Sequence, residues 1–134
     1  PILLRGVNRH EFDPRRGRAV DPEVDEADVR LMKAHNVNAV RTSHYPPSEH
    51  FLSLCDEYGL WVMDECDLET HGFSAQDWEG NPADDSTWHD VLLDRMERTV
   101  ERDKNHASII MWSLGNESWS GANLREMARW THRR

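Results

Sequence analysis

Residues 109–118, IIMWSLGNES, decide the fold, because a continuous apolar run ends there at Gly-Asn-Glu. A short apolar run without polar alternation predicts a strand buried on both faces, as in parallel α/β sheets and barrels. Glu117 then lies at the C-terminal mouth of this strand. In barrels that end carries the chemistry, so we interpret Glu117 as a candidate acid or base. The alternatives are a helix N-cap and a surface salt bridge.

Three more strand candidates precede this run, and each is followed by a segment with helical spacing of its apolar residues. We predict strands at residues 2–7, 37–41, 60–63 and 108–112. Helices are predicted at residues 22–35, before Gly59, at 88–104 and at 121–134. Residues 72–87 lack periodicity, which predicts a long functional or mobile loop over the strand ends.

The apolar positions also predict which helix faces are buried. In the first helix, the residues that recur near helical spacing are Val24, Ala27, Leu31 and Ala34. In the third helix, the stripe predicted to face inward consists of Val91, Leu92, Arg95, Met96, Thr99 and Val100.

Four strand-then-helix units predict an α/β fold with parallel strands side by side and the helices outside. This is half of a (β/α)8 TIM barrel, and we predict that residues 1–134 form its first four β/α units as a partial barrel domain. A closed barrel typically needs about 250 residues, against 134 in this chain. The alternative is a four-stranded doubly wound sheet. Neither GxGxxG nor GxxxxGK[ST] is present, so a phosphate-bearing cofactor has no obvious cradle.

Composition narrows the range of partners. Sixteen basic and twenty-five acidic residues give a net charge of -9, which argues against nucleic acid and anionic membrane as partners. No apolar stretch approaches the roughly 20 residues of a membrane span, and the N-terminus does not resemble a signal peptide. Cys55 and Cys66 form no CxxC motif, so we expect reduced thiols and a cytoplasmic protein.

Polar side chains follow all four predicted strands. They are Arg9, His10, Glu11, Arg41, His44, Asp64 to His71, Asn116 and Glu117. Taken singly, Arg9 and Arg41 could form structural ion pairs, and His44 could be a turn residue. Asp64 and Glu65 are interpreted as ordinary strand-end residues held by arginine. Because the four strand ends meet at one edge, their coincidence predicts a functional site there.

Glu69 and His71 alternate by two residues, so in an extended segment their side chains lie on one face. Together with Glu117 they would supply two carboxylates and one imidazole. That donor set suits Mg²⁺, or Mn²⁺, better than zinc. The spacing therefore predicts a divalent metal site, although an isolated Glu-x-His pair also occurs by chance.

At this point the sequence resembles the β-galactosidases of glycoside hydrolase family 2, in particular the large bacterial type. The matching motifs are RGVNRHE at residues 5–11, NAVRTSHYP at 38–46, Asp64-Glu65, ETHG at 69–72 and WSLGNES at 112–118. They span nearly the whole chain in the family order. The SHYP and GNE elements are shared with related β-glucuronidases and β-mannosidases, whereas ETHG resembles the galactosidase branch.

The resemblance implies a retaining hydrolase that removes terminal β-D-galactosyl residues from β-galactosides such as lactose. Glu117 is then the general acid/base, and Asn116 hydrogen-bonds the sugar 2-hydroxyl. The remaining roles implied by the resemblance are sugar binding by His10 and His44, orientation of the nucleophile by Arg41, and Mg²⁺ binding by Glu69, His71 and Glu117. We expect a homo-oligomer.

In this family the nucleophile is a glutamate on a later strand, which these residues do not include. We therefore expect the chain alone to be inactive, to depend on the rest of a parent chain, and to self-associate through its open sheet edges. The alternatives are a β-glucuronidase or β-mannosidase of the same family and a non-catalytic module that binds sugar or metal.

Overall fold

Strands and helices alternate along residues 1–134, all of which the computed structural model describes. The strands are β1 (Gly6–Arg9), β2 (Ala39–Thr42), β3 (Trp61–Glu65) and β4 (Ile109–Ser113). The helices are α1 (Pro22–Ala34), α2 (Glu49–Tyr58), α3 (His89–Asp103) and α4 (Ala122–Arg133). Two short 3₁₀ helices, His71–Gln76 and Ser86–Trp88, lie within the long segment between β3 and α3. The predicted order of four β/α units is confirmed.

The four strands form one parallel sheet in the order β1-β2-β3-β4. Val7, Val40 and Val62 lie beside one another in register across the first three strands. A doubly wound sheet reverses its strand order at a switch point, and no such reversal is present. The sheet is therefore the sequential half of a barrel, as the strand-then-helix pattern predicted.

The first strand starts later than predicted. Residues 2–7 were expected to form it, but Ile2 and Leu3 are 63% and 70% exposed and β1 begins at Gly6. Beside a backbone bond from Asn38 N to Arg5 O at 3.1 Å, the side chain of Asn38, just before β2, holds this segment. It accepts from Arg5 N at 2.7 Å and donates to Leu3 O at 2.9 Å. The apolar side chains before Gly6 thus lie beside the end of the sheet and not within it.

Helix α1 buries a different face from the one its apolar spacing predicted. Leu31 is 60% exposed, whereas Asp25, Val29 and Met32 are buried. Asp25 accepts from the Arg9 guanidinium at 2.6 Å. Because of this ion pair, an acidic residue lies on the buried face of α1. The spacing of apolar residues alone does not predict such a contact.

Two groups of buried apolar side chains hold the helices against the sheet. The first joins α1, α2, β2 and β3 and includes Val29, Phe51, Leu52, Val40 and Val62. The second lies beneath α3 and α4 and consists of Cys66, Leu68, Leu92, Met96, Val100 and Met127. Much of the stripe predicted for α3 is therefore confirmed, although Val91 is 46% exposed.

The opposite face of the sheet is uncovered. An apolar groove of about 240 Å³ runs along it, lined by side chains that include Leu4, Val7, Trp61, Met63, Ile110 and Met111. The prediction that the fourth strand is buried on both faces is wrong for these residues, since Ile110 and Met111 are 44% and 39% exposed. An apolar run indicates that both faces of a strand favour burial. In these residues the helices cover only one face of the sheet.

The ends of α2 follow the sequence signals closely. Ser48 accepts from Phe51 N at 3.1 Å at the N-terminus, and Gly59 ends the helix at φ 69° as predicted. Cys55 and Cys66 are buried free thiols, and burial raises the pKa of each to about 12. Neither thiol is therefore a ready nucleophile. None of the helices combines the length and the apolar character needed to cross a membrane.

Candidate active site

A buried carboxylate, Glu65, organises the carboxyl ends of β2, β3 and β4. Arg41 binds it with two hydrogen bonds, from Nε at 2.6 Å and from Nη2 at 3.0 Å. His44 Nδ1 lies 2.8 Å from Oε1, and Ser113 donates to Oε2 at 2.6 Å. Glu65 is fully buried. The interpretation of Glu65 as a strand-end carboxylate held by arginine is confirmed.

The partners of Glu65 control its protonation. Burial raises the pKa of this carboxyl, but hydrogen bonds from Ser113, Arg41 and His44 outweigh burial and hold the pKa below its ordinary value. Glu65 is therefore an anion at neutral pH. Sequence reasoning did not identify Ser113. The available signal was that Ser113 interrupts the apolar run and pairs in register with Glu65 across β3 and β4.

Asn116 connects this buried network to the exposed part of the site. Its Oδ1 accepts from Arg41 Nη2 at 2.7 Å, and its Nδ2 donates to Glu69 Oε2 at 2.5 Å. These two contacts define which end of the amide is oxygen and which is nitrogen. One N–H of the amide stays available for a ligand.

The two histidines that the resemblance predicted to bind sugar, His10 and His44, lie together. The rings of His10 and His44 meet edge to face with centroids 5.0 Å apart, and Tyr45 lies 6.1 Å from His10. Since Nδ1 of His44 faces Glu65, Nε2 is the ring nitrogen left for a ligand. Arg9, by contrast, belongs to the fold, because it pairs with Asp25 and its guanidinium lies 4.1 Å from the centre of the Phe51 ring.

Glu117 lies beside His71, in an exposed position. Its Oε2 is 2.9 Å from His71 Nδ1, and both side chains are more than half exposed. Glu117 has a φ of 43°, a left-handed conformation that is uncommon for a residue other than glycine. It caps no helix, since α4 begins after Gly121. The alternative that Glu117 forms a surface salt bridge explains its contact with His71. It does not explain the left-handed backbone conformation of Glu117.

Gly115 brings the end of β4 against the segment after β3. Its φ is 151°, and a Cβ at this position would lie 2.7 Å from Leu68 Cβ and Leu68 O. The close approach lets Asn116 N donate to Leu68 O at 2.8 Å, and Glu69 pairs with Asn116 as an isolated bridge. This is a position where only glycine fits. It sets Asn116 and Glu117 beside Glu69 and His71.

The three residues predicted to bind metal occupy one neighbourhood but are engaged with other partners. Glu69 faces Asn116, and Glu117 faces His71. The structure contains no group of three or more His, Cys, Asp or Glu side chains arranged to hold a metal ion. Two carboxylates and an imidazole still match the donors that Mg²⁺ and Mn²⁺ accept.

A second buried carboxylate, Asp64, faces the helix side of the sheet. Burial and the neighbouring Asp103 carboxylate raise the pKa of Asp64 to about 8. Thr42 donates to Oδ1 at 3.1 Å, while Oδ2 is buried without a donor. Arg102 binds Asp103 directly at 2.6 Å. Asp64 is therefore a structural group behind the site, not within it.

Comparison with known proteins shows the family to which the chain belongs. The family model described as "Glycosyl hydrolases family 2, TIM barrel domain" matches residues 1–134. The chain belongs to this family. Among curated relatives of this glycosyl hydrolase family 2 chain, a beta-galactosidase of Arthrobacter sp. (strain B7) is 65% identical over 133 residues, which is 99% of this chain and 13% of that relative. A beta-galactosidase of Vibrio cholerae is 51% identical over the full 134 residues.

Solved structures of the same fold are also similar to this glycosyl hydrolase family 2 chain. A β-glucuronidase from Ruminococcus gnavus matches with a TM-score of 0.77 at 30% identity, covering 97% of this chain and 22% of that protein. A β-D-glucuronidase from Dictyoglomus thermophilum matches with a TM-score of 0.77 at 32% identity, covering 97% and 23%. The chain spans about 13% of the length of the curated relatives it matches.

Proposed function

We propose that this chain supplies the acid/base side of a retaining glycosidase site that removes terminal β-D-galactosyl residues from β-galactosides such as lactose. The observation that carries the proposal is that exposed Glu117 directly follows Asn116, whose amide is held by Arg41 and Glu69. The 65% identity to a beta-galactosidase supports the galactoside as substrate.

In the proposed reaction Glu117 protonates the glycosidic oxygen as the bond to the leaving group breaks, and then takes a proton from the water that attacks the glycosyl-enzyme. Its exposure and its single contact with His71 suit a group that must reach substrate. A second carboxylate about 5 to 5.5 Å away attacks the anomeric carbon in this chemistry. Glu65 does not suit that role, because Arg41 and Ser113 donate to its Oε2 while Arg41 and His44 contact its Oε1.

The sugar is held by the groups around Asn116. The free N–H of that amide would donate to the 2-hydroxyl, a contact that strengthens as the ring flattens toward the transition state. His10 and His44 would bind other galactose hydroxyls, and their 5.0 Å edge-to-face contact holds the rings in relation to each other. Arg41 would also orient the nucleophilic carboxylate, while it anchors Asn116 through Nη2.

We propose Mg²⁺ as the cofactor, with Mn²⁺ as the alternative, because two carboxylates and one imidazole suit these ions. Glu69, His71 and Glu117 would hold it, and the bound ion would lower the proton affinity of nearby groups. Binding requires Glu117 and Glu69 to exchange their present partners, His71 and Asn116, for the metal. The roles assigned to the protein side chains do not depend on the ion.

A β-glucuronidase is the second candidate, because the similar solved structures include proteins with that name at 30% and 32% identity. The higher identity to beta-galactosidases favours the galactoside. A uronic acid would require a cation facing its carboxylate. Arg41 is already committed to Glu65 and Asn116.

The test replaces the matching segment of the Arthrobacter relative with residues 1–134 and assays the chimera on aryl β-galactoside and aryl β-glucuronide. We expect hydrolysis of the galactoside, and a loss of about 10²- to 10⁴-fold in kcat/KM in Glu117→Gln. Glu79→Gln, another exposed acidic residue, is the control. Preference for the glucuronide, or full activity of the Glu117→Gln chimera, would overturn the proposal. The chain alone is expected to show no turnover.

A further inference from the structure

A pair of buried carboxyl groups lies between the sheet and α3, on the face of the sheet away from the site. Asp64 of β3 and Asp103 of α3 are both fully buried. A side-chain hydrogen bond joins them. Such a bond requires one of the two carboxyls to carry a proton, because an ionised carboxylate only accepts. Oδ2 of Asp64 has no donor, so it is the oxygen free to hold that proton.

One guanidinium serves both carboxyl groups. Arg102 donates to Asp103 from Nε at 2.7 Å and from Nη2 at 2.6 Å. Glu49 of α2 adds a further negative charge near Arg102, and the partner of Asp64 from β2 is the neutral Thr42. Two ionised carboxylates would therefore leave a buried negative charge uncompensated, which is costly. The pKa of Asp64 is accordingly raised to about 8, first by burial and then by Asp103.

Thr42 connects the carboxyl pair to the site. Its hydroxyl donates to Asp64 Oδ1 at 3.1 Å and accepts from Glu65 N at 3.0 Å. Glu65 in turn contacts Arg41 and His44. The side chains of Asp64 and Glu65 lie on opposite faces of β3, as successive residues of a strand do. A displacement of Asp64 is therefore passed through the hydroxyl to the backbone of Glu65.

A second connection runs from the carboxyl pair to the segment that carries His44. Arg102 Nη2, which binds Asp103, also donates to Pro47 O at 2.9 Å. Thr42 and Pro47 bracket His44 in the chain. Both ends of the segment 42–47 are thus hydrogen-bonded to groups that the carboxyl pair holds.

We propose that Asp64 and Asp103 share one proton and that this pair positions His44. With the proton present, Asp64 donates to Asp103 from Oδ2, while its Oδ1 accepts from the threonine hydroxyl. When hydroxide takes the proton, the products are water and two adjacent carboxylates, which repel each other. Both ends of the segment 42–47 then shift, and His44 loses its alignment on Glu65. The effect on hydrolysis rests on the proposed function, whereas the shared proton and the movement of His44 do not.

The first experiment follows carbon NMR signals of the chain from about pH 6 to about pH 9. We expect the carboxyl carbon of Asp64 to titrate at about pH 8, and the ring signals of His44 to move with the same midpoint. In Asp64→Asn the amide can donate to Asp103 and accept from Thr42, so this movement of His44 should vanish. Asp94→Asn, at an exposed site on the same helix as Asp103, should titrate as wild type does.

Three results of this experiment would contradict the proposal. An Asp64 carboxyl carbon that titrates in the ordinary acidic range would show, without any variant, that no proton is shared. A His44 signal that moves equally in Asp64→Asn and wild type would remove the positioning role. Asp103→Asn takes away the neighbouring charge and should lower the midpoint of Asp64, so an unchanged midpoint in that variant would also overturn the shared proton.

The second experiment measures hydrolysis by the chimera with the Arthrobacter relative. The substrate is a dinitrophenyl β-galactoside, whose leaving group departs without a proton, so the loss of activity at alkaline pH does not report the proton of Glu117. We expect kcat/KM to fall about tenfold from about pH 7 to about pH 9 in wild type and in Asp94→Asn, but less than about twofold in Asp64→Asn.

Equal falls in all three chimeras would overturn the positioning role of the carboxyl pair. A chimera that hydrolyses no galactoside at any pH would instead contradict the proposed function, and the NMR titration would still decide whether Asp64 and Asp103 share a proton.

Discussion

Glu65 and Glu117 are the same residue type at the ends of neighbouring strands, yet the structure gives them opposite environments. Glu65 is fully buried and is held by Arg41, His44 and Ser113. Glu117 is more than half exposed, has one partner, His71, and sits on a strained backbone. The first carboxylate holds other side chains in position, and the second is the one to which the proposed function gives the proton transfer. Environment, not residue type, separates the two roles.

Stability should separate them most strongly. Glu65→Ala leaves Arg41 and His44 without their carboxylate, and we expect a loss of about 3–5 kcal/mol in the free energy of unfolding. Glu117→Ala should change it by no more than about 0.5 kcal/mol, because its contact is exposed. Urea denaturation followed by circular dichroism measures both. Similar losses in the two variants would show that the two carboxylates do not differ in their contribution to stability.

Substitution of Gly115 should also lower the free energy of unfolding, because Gly115 connects the strand end near Glu65 to the segment that carries Glu117. Gly115→Ala places a Cβ 2.7 Å from Leu68, and we expect a loss of about 2–3 kcal/mol. The amide signals of Asn116 and Glu117 should shift as their segment moves away from Glu69. Gly72→Ala is the matched control, since nothing lies within 4 Å of its Cβ. An unshifted Asn116 signal in Gly115→Ala would contradict the positioning role of Gly115.

Asp64 extends the comparison to pH. Because its pKa rises from 3.8 when unfolded to about 8 when folded, the folded chain keeps a proton that the unfolded chain loses. The free energy of unfolding should therefore decrease as the pH rises from about 4 to about 8, by up to about 1.4 kcal/mol per pH unit. Glu65, whose pKa is lowered, contributes stability that is lost only as the pH falls through acidic values.

Asp64→Asn should flatten the slope, and Asp94→Asn, at an exposed site, should retain it. The measurement is urea denaturation at a series of pH values between 5 and 8. A slope that is the same in Asp64→Asn and wild type would show that another group titrates in this window.

Sequence patterns predicted the strand order and the convergence of polar groups at the strand ends, because both follow from the period of apolar residues and from parallel topology. They did not predict which face of α1 is buried, since Asp25 turns inward to meet Arg9. Nor did they identify Ser113 as a partner of Glu65, or the stacking of Trp78 on Trp119. Contacts of this kind join residues far apart in the chain, so they produce no periodic pattern in the local sequence.

Mg²⁺ binding provides the sharpest test of the exposed part of the site. If Glu69, His71 and Glu117 bind the ion, saturating Mg²⁺ should stabilise the folded chain by about 1–3 kcal/mol, because the ion would bind the folded state and not the unfolded chain. Isothermal titration of Mg²⁺ should show saturable heat in wild type and none in Glu69→Gln. Glu79→Gln should bind as wild type does.

Loss of the heat in Glu69→Gln alone would mean that the ion exchanges with the Glu69–Asn116 contact, which spans 2.5 Å. Binding would then free the Asn116 amide for the sugar while Arg41 still holds its oxygen. Equal heats in wild type and Glu69→Gln would place the ion elsewhere. In that case the contacts of Glu69 and Glu117 serve only to orient Asn116 and His71, and the exposed carboxylate would act without a metal partner.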